Sequence, residues 1–399
     1  MIQREYRTEE LRRGIRRIQS GKLGYPPFNR KSFQHVQSLF PTARLRRGAA
    51  PFARQPSDLK DLSQVTYLNS LGQEATVQKL LEDSYTDAFL VMKDGIIQTE
   101  TYFNQMSADS FHLLNSVSKS FLGILVGILS EEGLFQSYEL ISSYIPEFEN
   151  SAFCNTTLQH ALDMSGAVKY HEDYADPNAD FWVETAVVGW RPALVNENSQ
   201  DTLFNYALSL KETEQEDGAT FHYRTVFTNV LTMVIERATG QKVQHLLEEK
   251  IWQRLKPEQD AVIVVDGAGL PYLGAGMNAC ARDLARFGQM IVQSGQLNGE
   301  QIISKDWIDD LVAGNDEVRR LFAESDYGLT RPGAHYHNQF WGSAQGNQTL
   351  MCLGIHGQYI HMNLSNQTVI VKLSSQPESV NNEMFSEAFF AFDALSEQL

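Results

Sequence analysis

Cysteine is scarce in this chain: its 399 residues include three, Cys154, Cys280 and Cys352. They are odd in number, far apart and outside the spacing that metal ligands need. The chain is therefore not expected to fold on a disulfide framework, and buried thiols in a reducing compartment are the simplest expectation. No metal and no cofactor is indicated.

Long apolar runs are also missing. The longest one extends from Phe121 to Leu129, far short of the roughly 20 residues that a membrane-spanning helix requires. The first residues, from Met1 to Arg7, lack the apolar centre of a signal peptide. The sequence thus predicts a soluble, cytoplasmic protein that has no membrane partner.

Several common catalytic motifs are absent. The chain has no Walker loop and no Gly-x-Ser-x-Gly elbow, and His171-Glu172 lacks the second histidine of a zinc protease. Gly274-Ala275-Gly276 superficially resembles a dinucleotide-binding turn, because it lies between a strand-like run and a helix. No acidic residue follows at the required distance and the next element is another helix, so a flexible turn is favoured.

Basic residues are the minority: 33 Lys and Arg face 49 Asp and Glu, which gives a net charge of −16 and an isoelectric point near 5.1. This balance argues against nucleic acid as the main partner. Residues 1–54 depart from it, with 13 basic and 3 acidic side chains. We expect residues 1–60 to form a basic arm across the acidic body, rather than a tail for nucleic acid or membrane. A short helix is predicted around Glu9–Gln19.

The chain does contain a hydroxyl and an amine at the start of an unusually apolar helix. Ser116 and Lys119 are three residues apart and share one helix face, and the apolar run that follows predicts that this helix is buried. Burial disfavours the ammonium form, and a hydroxyl beside a neutral amine is an activated nucleophile. The alternative is a capping serine and a lysine that reaches solvent, but so apolar a helix offers little route to water.

The remaining patterns predict an α+β fold. Two apolar runs, 88–92 and 96–103, flank Asp94-Gly95, which is typical of a β-hairpin. Residues 135–260 have mostly helical patterns, and strand patterns return over 350–362 and 368–373 before a last helix. We therefore predict an antiparallel sheet flanked by helices (residues 61–150 and 260–399), with a mostly helical domain (151–259) inserted into it.

Two further stretches have residue types suited to a catalytic site. Tyr223 precedes a predicted helix; taken alone, a buried structural tyrosine is favoured there, and the alternative is a phenol in a cleft, where the N-terminal dipole and neighbouring cations favour a phenolate. Gly354 lies within the predicted strand over 350–362, where a glycine often marks either a bulge or the close approach of a ligand.

This ordered set resembles the serine β-lactamase and penicillin-binding protein superfamily, which carries Ser-x-x-Lys followed by Lys-Thr-Gly. Over roughly residues 80–399 the chain is most similar to the class C-type branch and, within it, to the 6-aminohexanoate-dimer hydrolase family. The matching stretches are 86–91, 116–120, 162–164, 172–174, 234–237, 281–286, 354–358 and 369–375. The resemblance implies a β-lactamase/transpeptidase-like fold.

The resemblance also implies roles for individual residues. Ser116 would be the nucleophile, Lys119 its proton acceptor and Tyr223 a second acid–base group. The backbone N–H groups of Ser116 and Ile355 would form the oxyanion hole. The implied substrate-binding residues are Tyr174 and His356.

Two motifs depart from the superfamily pattern. Tyr-x-Ser/Asn reads Tyr223-Arg224-Thr225, so a hydroxyl stands where an amide is common. The Lys-Thr-Gly position reads Cys352-Leu353-Gly354 and has no lysine. β-Lactamases use that cation to hold a substrate carboxylate, so the second departure argues against β-lactam turnover.

The functional prediction is a serine hydrolase that acts through an acyl-enzyme on small linear amides or carboxyl esters, without cofactor or metal. The alternatives are a β-lactamase, a D-alanyl peptidase or esterase of the same superfamily, and a catalytically silent binding homologue. Silent homologues usually lack the lysine or the tyrosine, and both are present here. Homodimer formation is left open. The acidic side chains near Tyr174 suggest a substrate that carries an ammonium group; they are Glu172, Asp173, Asp176 and Asp180.

Overall fold

The computed structural model describes residues 22–49, 55–192, 200–344 and 348–399. Its strands are β1 (Thr42–Leu45), β2 (Thr66–Leu68), β3 (Glu74–Thr76), β4 (Thr86–Lys93), β5 (Ile96–Tyr102), β6 (His112–Leu113), β7 (Ala261–Val264), β8 (Met277–Ala279), β9 (Gln296–Leu297), β10 (Glu300–Gln301), β11 (His335–His337), β12 (Phe340–Gly342), β13 (Thr349–Gly354), β14 (Gln358–Asn363) and β15 (Thr368–Ser374).

The α-helices are α1 (Asn29–Ser32), α2 (Val77–Asp83), α3 (Ser118–Glu131), α4 (Ile141–Tyr144), α5 (Leu158–Leu162), α6 (Asp180–Val187), α7 (Leu203–Ser209), α8 (Val226–Thr239), α9 (Val243–Leu247), α10 (Ala281–Val292), α11 (Lys305–Ala313), α12 (Asp316–Ala323), α13 (Asp326–Thr330) and α14 (Asn382–Gln398). Short 3-10 turns occur at Val36–Ser38, Asn115–Val117, Pro146–Asn150 and Gln253–Leu255, and a π-turn at Glu248–Trp252.

A seven-stranded antiparallel sheet is the centre of the fold, in the order β11-β12-β13-β14-β15-β4-β5. β15 pairs with β4, which places Val371 opposite Leu90 and joins distant parts of the chain. Alternate residues of β14 face opposite sides: Ile360 faces α10 and Tyr359 packs on α14. Helices on both faces explain why β4 and β15 are almost entirely buried. The predicted α+β class, an antiparallel sheet flanked by helices, is confirmed.

The first hairpin of this sheet forms as the sequence predicts. β4 and β5 pair antiparallel around Asp94 and Gly95, whose φ angles of 51° and 77° are those of a primed turn. Aspartate and glycine tolerate this left-handed backbone best, so the two turn residues fix the register of both strands.

The predicted single strand over 350–362 is wrong, because the segment folds as two strands. β13 ends at Gly354 and β14 begins at Gln358, and the two pair antiparallel across a three-residue turn. His356 and Gly357 have φ angles of 62° and 84° in that turn. The apolar pattern continues through both strands, which hides the reversal from a pattern search.

The apolar helix is buried, as predicted. Every residue of α3 from Ser118 to Leu129 is buried, and Lys119 is 1% exposed. The helix ends just before Gly133, whose φ of 78° terminates it. None of the helices within the described ranges is both long and apolar enough to cross a membrane.

Between residues 151 and 259, the regular elements that the structure describes are all helical or helix-like turns, from α5 to the Gln253–Leu255 turn. The division of the chain into a discontinuous sheet domain and an inserted helical domain stays a prediction. The described part of the basic arm lies against the body: β1 pairs with β7, and Arg46 binds Glu248 at 2.9 Å. The helix predicted around Glu9–Gln19 lies outside the described residues.

A buried histidine links the helical segment to the sheet. His337 donates from Nδ1 to Asp163 and from Nε2 to Asp310, each at 2.8 Å. Burial alone lowers its pKa, but the two carboxylates outweigh burial and raise the pKa to about 10. Because this folded-state value lies above the unfolded value near 6.5, the stabilisation is complete below about pH 6.5 and is lost as the pH rises towards 10.

We expect His337→Gln to lower the free energy of unfolding by about 3 kcal/mol at pH 6, because the buried carboxylate of Asp163 and the half-exposed carboxylate of Asp310 lose their cation. The loss should be smaller at pH 9. Urea unfolding of the wild-type protein and of His337→Gln, each at pH 6 and at pH 9, measures the difference. His335 is the matched control: it is also buried, but its pKa is lowered to about 4 by burial, so His335→Gln should cost the same at both pH values. A pH-independent loss in His337→Gln would contradict a charged ring.

Candidate active site

Ser116 lies in the Asn115–Val117 turn that leads from β6 into α3. Its neighbour Asn115 has a φ of 48° and donates from its side-chain amide to the carbonyl of Ile355 at 2.9 Å. This bond ties the turn to the end of β13. Ser116 is 7% exposed and lines a cavity of about 160 Å³, so its hydroxyl is at once fixed in position and accessible to a small ligand.

The amine of Lys119 is held by three oxygens. Its Nζ lies 2.9 Å from Ser116 Oγ, 2.9 Å from Thr225 Oγ1 and 2.6 Å from the Gly274 carbonyl. Burial lowers the pKa of Lys119 to about 8, although the nearby Glu172 and Glu184 carboxylates act in the opposite direction. At pH 7 about a tenth of the amine is therefore neutral, against less than a thousandth for an ordinary lysine.

The three contacts fit a neutral amine. The Gly274 carbonyl can only accept a hydrogen bond, and the Thr225 hydroxyl already donates to Glu172 at 2.6 Å, so it accepts from Lys119. In the ammonium form all three oxygens accept from Lys119 Nζ. After loss of one proton, the Gly274 and Thr225 contacts use both remaining N–H bonds, and the lone pair of the neutral amine can face Ser116, as a base that removes the serine proton requires.

Tyr223 completes a cluster with Ser116 and Lys119. Its phenol is a hydrogen-bond partner of Ser116, and its ring centroid lies 5.0 Å from Lys119 Nζ. Burial and the Glu172 carboxylate raise its pKa well above the ordinary value. This direction favours a neutral phenol at rest, because burial outweighs the helix dipole that would favour a phenolate.

Glu172 is a site residue whose carboxylate is engaged by groups of the protein itself. Its carboxylate accepts from the backbone N–H and hydroxyl of Thr225, at 2.5 and 2.6 Å, and from the phenol of Tyr174 at 2.7 Å. It also supports the cationic form of Lys119. Its charge is thus used inside the protein, and Asp173 is the acidic residue near Tyr174 that lines the larger of the site's two cavities. The ammonium-bearing substrate stays a prediction.

The glycine-rich turn at Gly274 belongs to the site rather than to a flexible loop. A Cβ on Gly274 would lie 2.4 Å from Thr225 Cγ2, so only glycine permits this packing. Its N–H donates to Asn229 at 3.1 Å, and Asn229 in turn hydrogen-bonds Glu184. The turn therefore holds one carbonyl rigidly against the amine of Lys119.

Gly354 allows the end of β13 to approach the serine. A Cβ at this position would lie 2.5 Å from the Leu114 carbonyl and 3.2 Å from the backbone nitrogen of Ser116. Close backbone approach, rather than a bulge, therefore explains this glycine. It brings Ile355, the next residue, to the cavity that Ser116 lines.

The two predicted substrate-binding residues lie in different surroundings. Tyr174 lines the cavity together with Ser116 and Tyr223. His356 lies instead on the wall of a larger neighbouring cavity of about 530 Å³, where Nδ1 bonds the Gln376 carbonyl at 2.7 Å. Burial lowers its pKa to about 4, so it is neutral. Contact of His356 with substrate stays a prediction.

The two cavities adjoin and share four lining residues: Tyr174, Ile355, Ser379 and Val380. Within the described ranges, no three His, Cys, Asp or Glu side chains are grouped as a metal site would need. The chemistry available around Ser116 is thus a hydroxyl, an amine, a phenol and backbone amides.

The sheet, the buried helix and this cluster agree with what comparison with known proteins shows. The chain belongs to the β-lactamase family, whose sequence profile matches residues 74–385. Within that family it is a hydrolase related to the 6-aminohexanoate-dimer hydrolase of Paenarthrobacter ureafaciens, with 31% identity over 355 residues, 88% of this chain and 86% of the relative.

Solved structures show the same fold. A Bacillus anthracis protein described as a candidate 6-aminohexanoate-dimer hydrolase superposes with a TM-score of 0.86 at 27% identity, covering 95% of this chain and 96% of its own. A D-stereospecific amidohydrolase from a Streptomyces species is similar in fold alone, with a TM-score of 0.57, 16% identity, and coverage of 77% and 96%. The predicted superfamily resemblance is confirmed.

Proposed function

We propose that this protein is a serine hydrolase that cleaves small linear amides or carboxyl esters through an acyl-enzyme. The observation that carries the proposal is the set of hydrogen bonds around Lys119, which places its amine 2.9 Å from Ser116 Oγ and, once the amine is neutral, leaves its lone pair for Ser116. An amine with a pKa of about 8 in a buried site can take a proton from serine at physiological pH.

In the first half of the reaction, Ser116 Oγ attacks the substrate carbonyl carbon and its proton passes to Lys119. The developing oxyanion is bound by the backbone N–H groups of Ser116 and Ile355, and two such donors typically contribute about 3–4 kcal/mol each. Close approach at Gly354 supports this pairing of amides.

In the second half, the neutral phenol of Tyr223 donates its proton to the departing nitrogen or oxygen, and Lys119 returns a proton to the phenol. A raised pKa suits this role, because the group must be protonated before it acts as an acid. Water then attacks the ester on Ser116, the same groups take the water proton and pass it to Ser116 Oγ as the acyl–oxygen bond breaks, and the free acid leaves.

The relatives guide the choice of substrate. The similarity to 6-aminohexanoate-dimer hydrolase favours short linear amides of ω-amino acids. The absence of lysine at Cys352-Leu353-Gly354 makes β-lactams the less favoured class. A substrate panel should therefore contain 4-nitrophenyl esters, linear amides and nitrocefin.

Labelling by a fluorophosphonate tests the proposal directly. We expect one adduct per chain in the intact mass, located by peptide mapping on Ser116 and not on Ser118 or Ser120 of the same helix. Prior incubation with a turned-over ester should slow the labelling. A chain that hydrolyses no ester or amide and takes no label would instead be a silent binding homologue.

A further inference from the structure

The cavity in front of Ser116 contains a cation that the proposed chemistry does not use. Among the described residues that line it, Arg331 is the sole Lys or Arg, and none is Asp or Glu. We propose that Arg331 binds a carboxylate group of the substrate, so that the preferred substrates are amides or esters that carry a free acid. This inference rests on the proposed function, since it concerns the substrate of the same site.

The surroundings of Arg331 hold its guanidinium in place without neutralising it. The group lies 4.1 Å from the ring centroid of Phe385 and 4.9 Å from that of Trp341. Aromatic faces position a cation but leave its N–H bonds free in the plane. The Nη1 atom is buried and has no hydrogen-bond partner among the described residues.

A buried and unpartnered donor is costly unless a ligand satisfies it. Burial lowers the pKa of Arg331 to about 10, which still leaves the group charged at neutral pH. A carboxylate is the complement of such a group, because its two oxygens accept from the planar guanidinium in a charge-assisted pair.

The position of Arg331 relative to the reacting groups suits this role. The indole of Trp341 stacks on the Tyr223 ring, with 5.5 Å between the ring centroids. The guanidinium of Arg331 contacts the same indole. One aromatic side chain therefore separates the cation from the proposed acid. Arg331 lies between α13 and β11. It therefore reaches the cavity from a different element than the lysine of a Lys-Thr-Gly motif on β13 would. In our proposal its guanidinium takes the place of that absent lysine as the cation for a substrate carboxylate.

Matched substrates separate recognition of the carboxylate from catalysis. On the acyl side, the 4-nitrophenyl monoester of adipic acid is compared with its methyl ester, with nitrophenolate release as the readout. On the amine side, N-hexanoyl-6-aminohexanoate is compared with its carboxamide, with release of amine as the readout. The measured quantity is the ratio of kcat/KM for the acid to that for its neutral partner.

In the wild-type protein we expect this ratio to exceed one in at least one pair. Arg331→Met, which keeps the packing on the aromatic rings, should lower the ratio by about 10- to 100-fold, mainly through KM. Arg331→Lys should retain part of it. Arg191→Met is the matched control, because Arg191 also stacks on an indole, that of Trp182 at 3.9 Å, but lines the larger cavity.

The proposal is overturned if Arg331→Met lowers both members of each pair equally, which would indicate a packing role, or if Arg191→Met removes the preference instead. Calorimetric titration of N-hexanoyl-6-aminohexanoate into the inactive Ser116→Ala variant, with and without the additional Arg331→Met substitution, decides the point without turnover. Weaker binding in the Arg331→Met variant supports the carboxylate site even if neither substrate pair is hydrolysed. In that case the proposed hydrolase function fails and the carboxylate site does not. Equal binding by both proteins rejects the carboxylate site.

Discussion

Replacing Ser116 by alanine is expected to lower kcat/KM for 4-nitrophenyl esters by about 10⁴- to 10⁶-fold, the loss seen when a nucleophilic serine is removed. The hydroxyl is the group that Lys119 and Tyr223 both contact, and it lies on a residue that lines the cavity. A residual rate above that of water is expected, because the proposed backbone donors would still bind the oxyanion.

The matched control is Ser120→Ala. Ser120 is also a buried serine near the start of α3, but its hydroxyl donates to the Gln339 carbonyl at 2.8 Å and it does not line the cavity. This variant should keep its activity within a few-fold while losing some stability. Hydrolysis retained in Ser116→Ala with a wild-type melting temperature would reject Ser116 as the nucleophile.

Part of this site could be predicted from the sequence because the residues that form it are close together along the chain. Ser116 and Lys119 are adjacent in one helical turn, so their spacing and the apolar run behind them are sufficient to predict a buried pair. The Asp94-Gly95 hairpin is similarly local, since those two residues determine the turn. In both cases the interacting groups are close in sequence as well as in space.

The rest of the site depends on contacts between distant segments. Glu172 meets Thr225 and Lys119 because a loop, a helix start and the buried helix converge, and no spacing in the chain encodes that encounter. Arg331 looks in the sequence like any charged residue of a loop. Only the aromatic rings packed around it reveal that its charge is enclosed.

The protonation state of Tyr223 also depends on contacts that the sequence does not show. A helix N-terminus favours a negative charge by a few tenths to about 2 kcal/mol, whereas full burial of a phenol disfavours it by more. The first effect is visible in the sequence as a tyrosine before a helix. The second depends on how deeply Tyr223 is covered, which the sequence does not show.

Replacing Lys119 by methionine is expected to lower kcat/KM by about 10³- to 10⁴-fold, because the variant keeps the packing volume but removes the base. In the wild-type protein, kcat/KM should rise with pH and level off above an apparent pKa near 8, as Lys119 loses its proton. The residual activity of Lys119→Met should lack this rise. Steady-state kinetics from pH 6 to 10 on a neutral 4-nitrophenyl ester measure both effects.

A second buried lysine serves as the control for this assignment. Lys372 on β15 is fully buried, its pKa is lowered to about 7 by burial, and it does not line the cavity. If the pH dependence of kcat/KM persists in Lys372→Met and disappears in Lys119→Met, it belongs to the amine beside Ser116; the reverse result would reject Lys119 as the base.

The lowered pKa of Lys119 also affects stability, because protonating this amine is less favourable in the folded state than in the unfolded chain. The stability of the wild-type protein relative to Lys119→Met should therefore decline as the pH falls from about 10.5 to about 8, which links the reactivity of this amine to a loss of folding free energy.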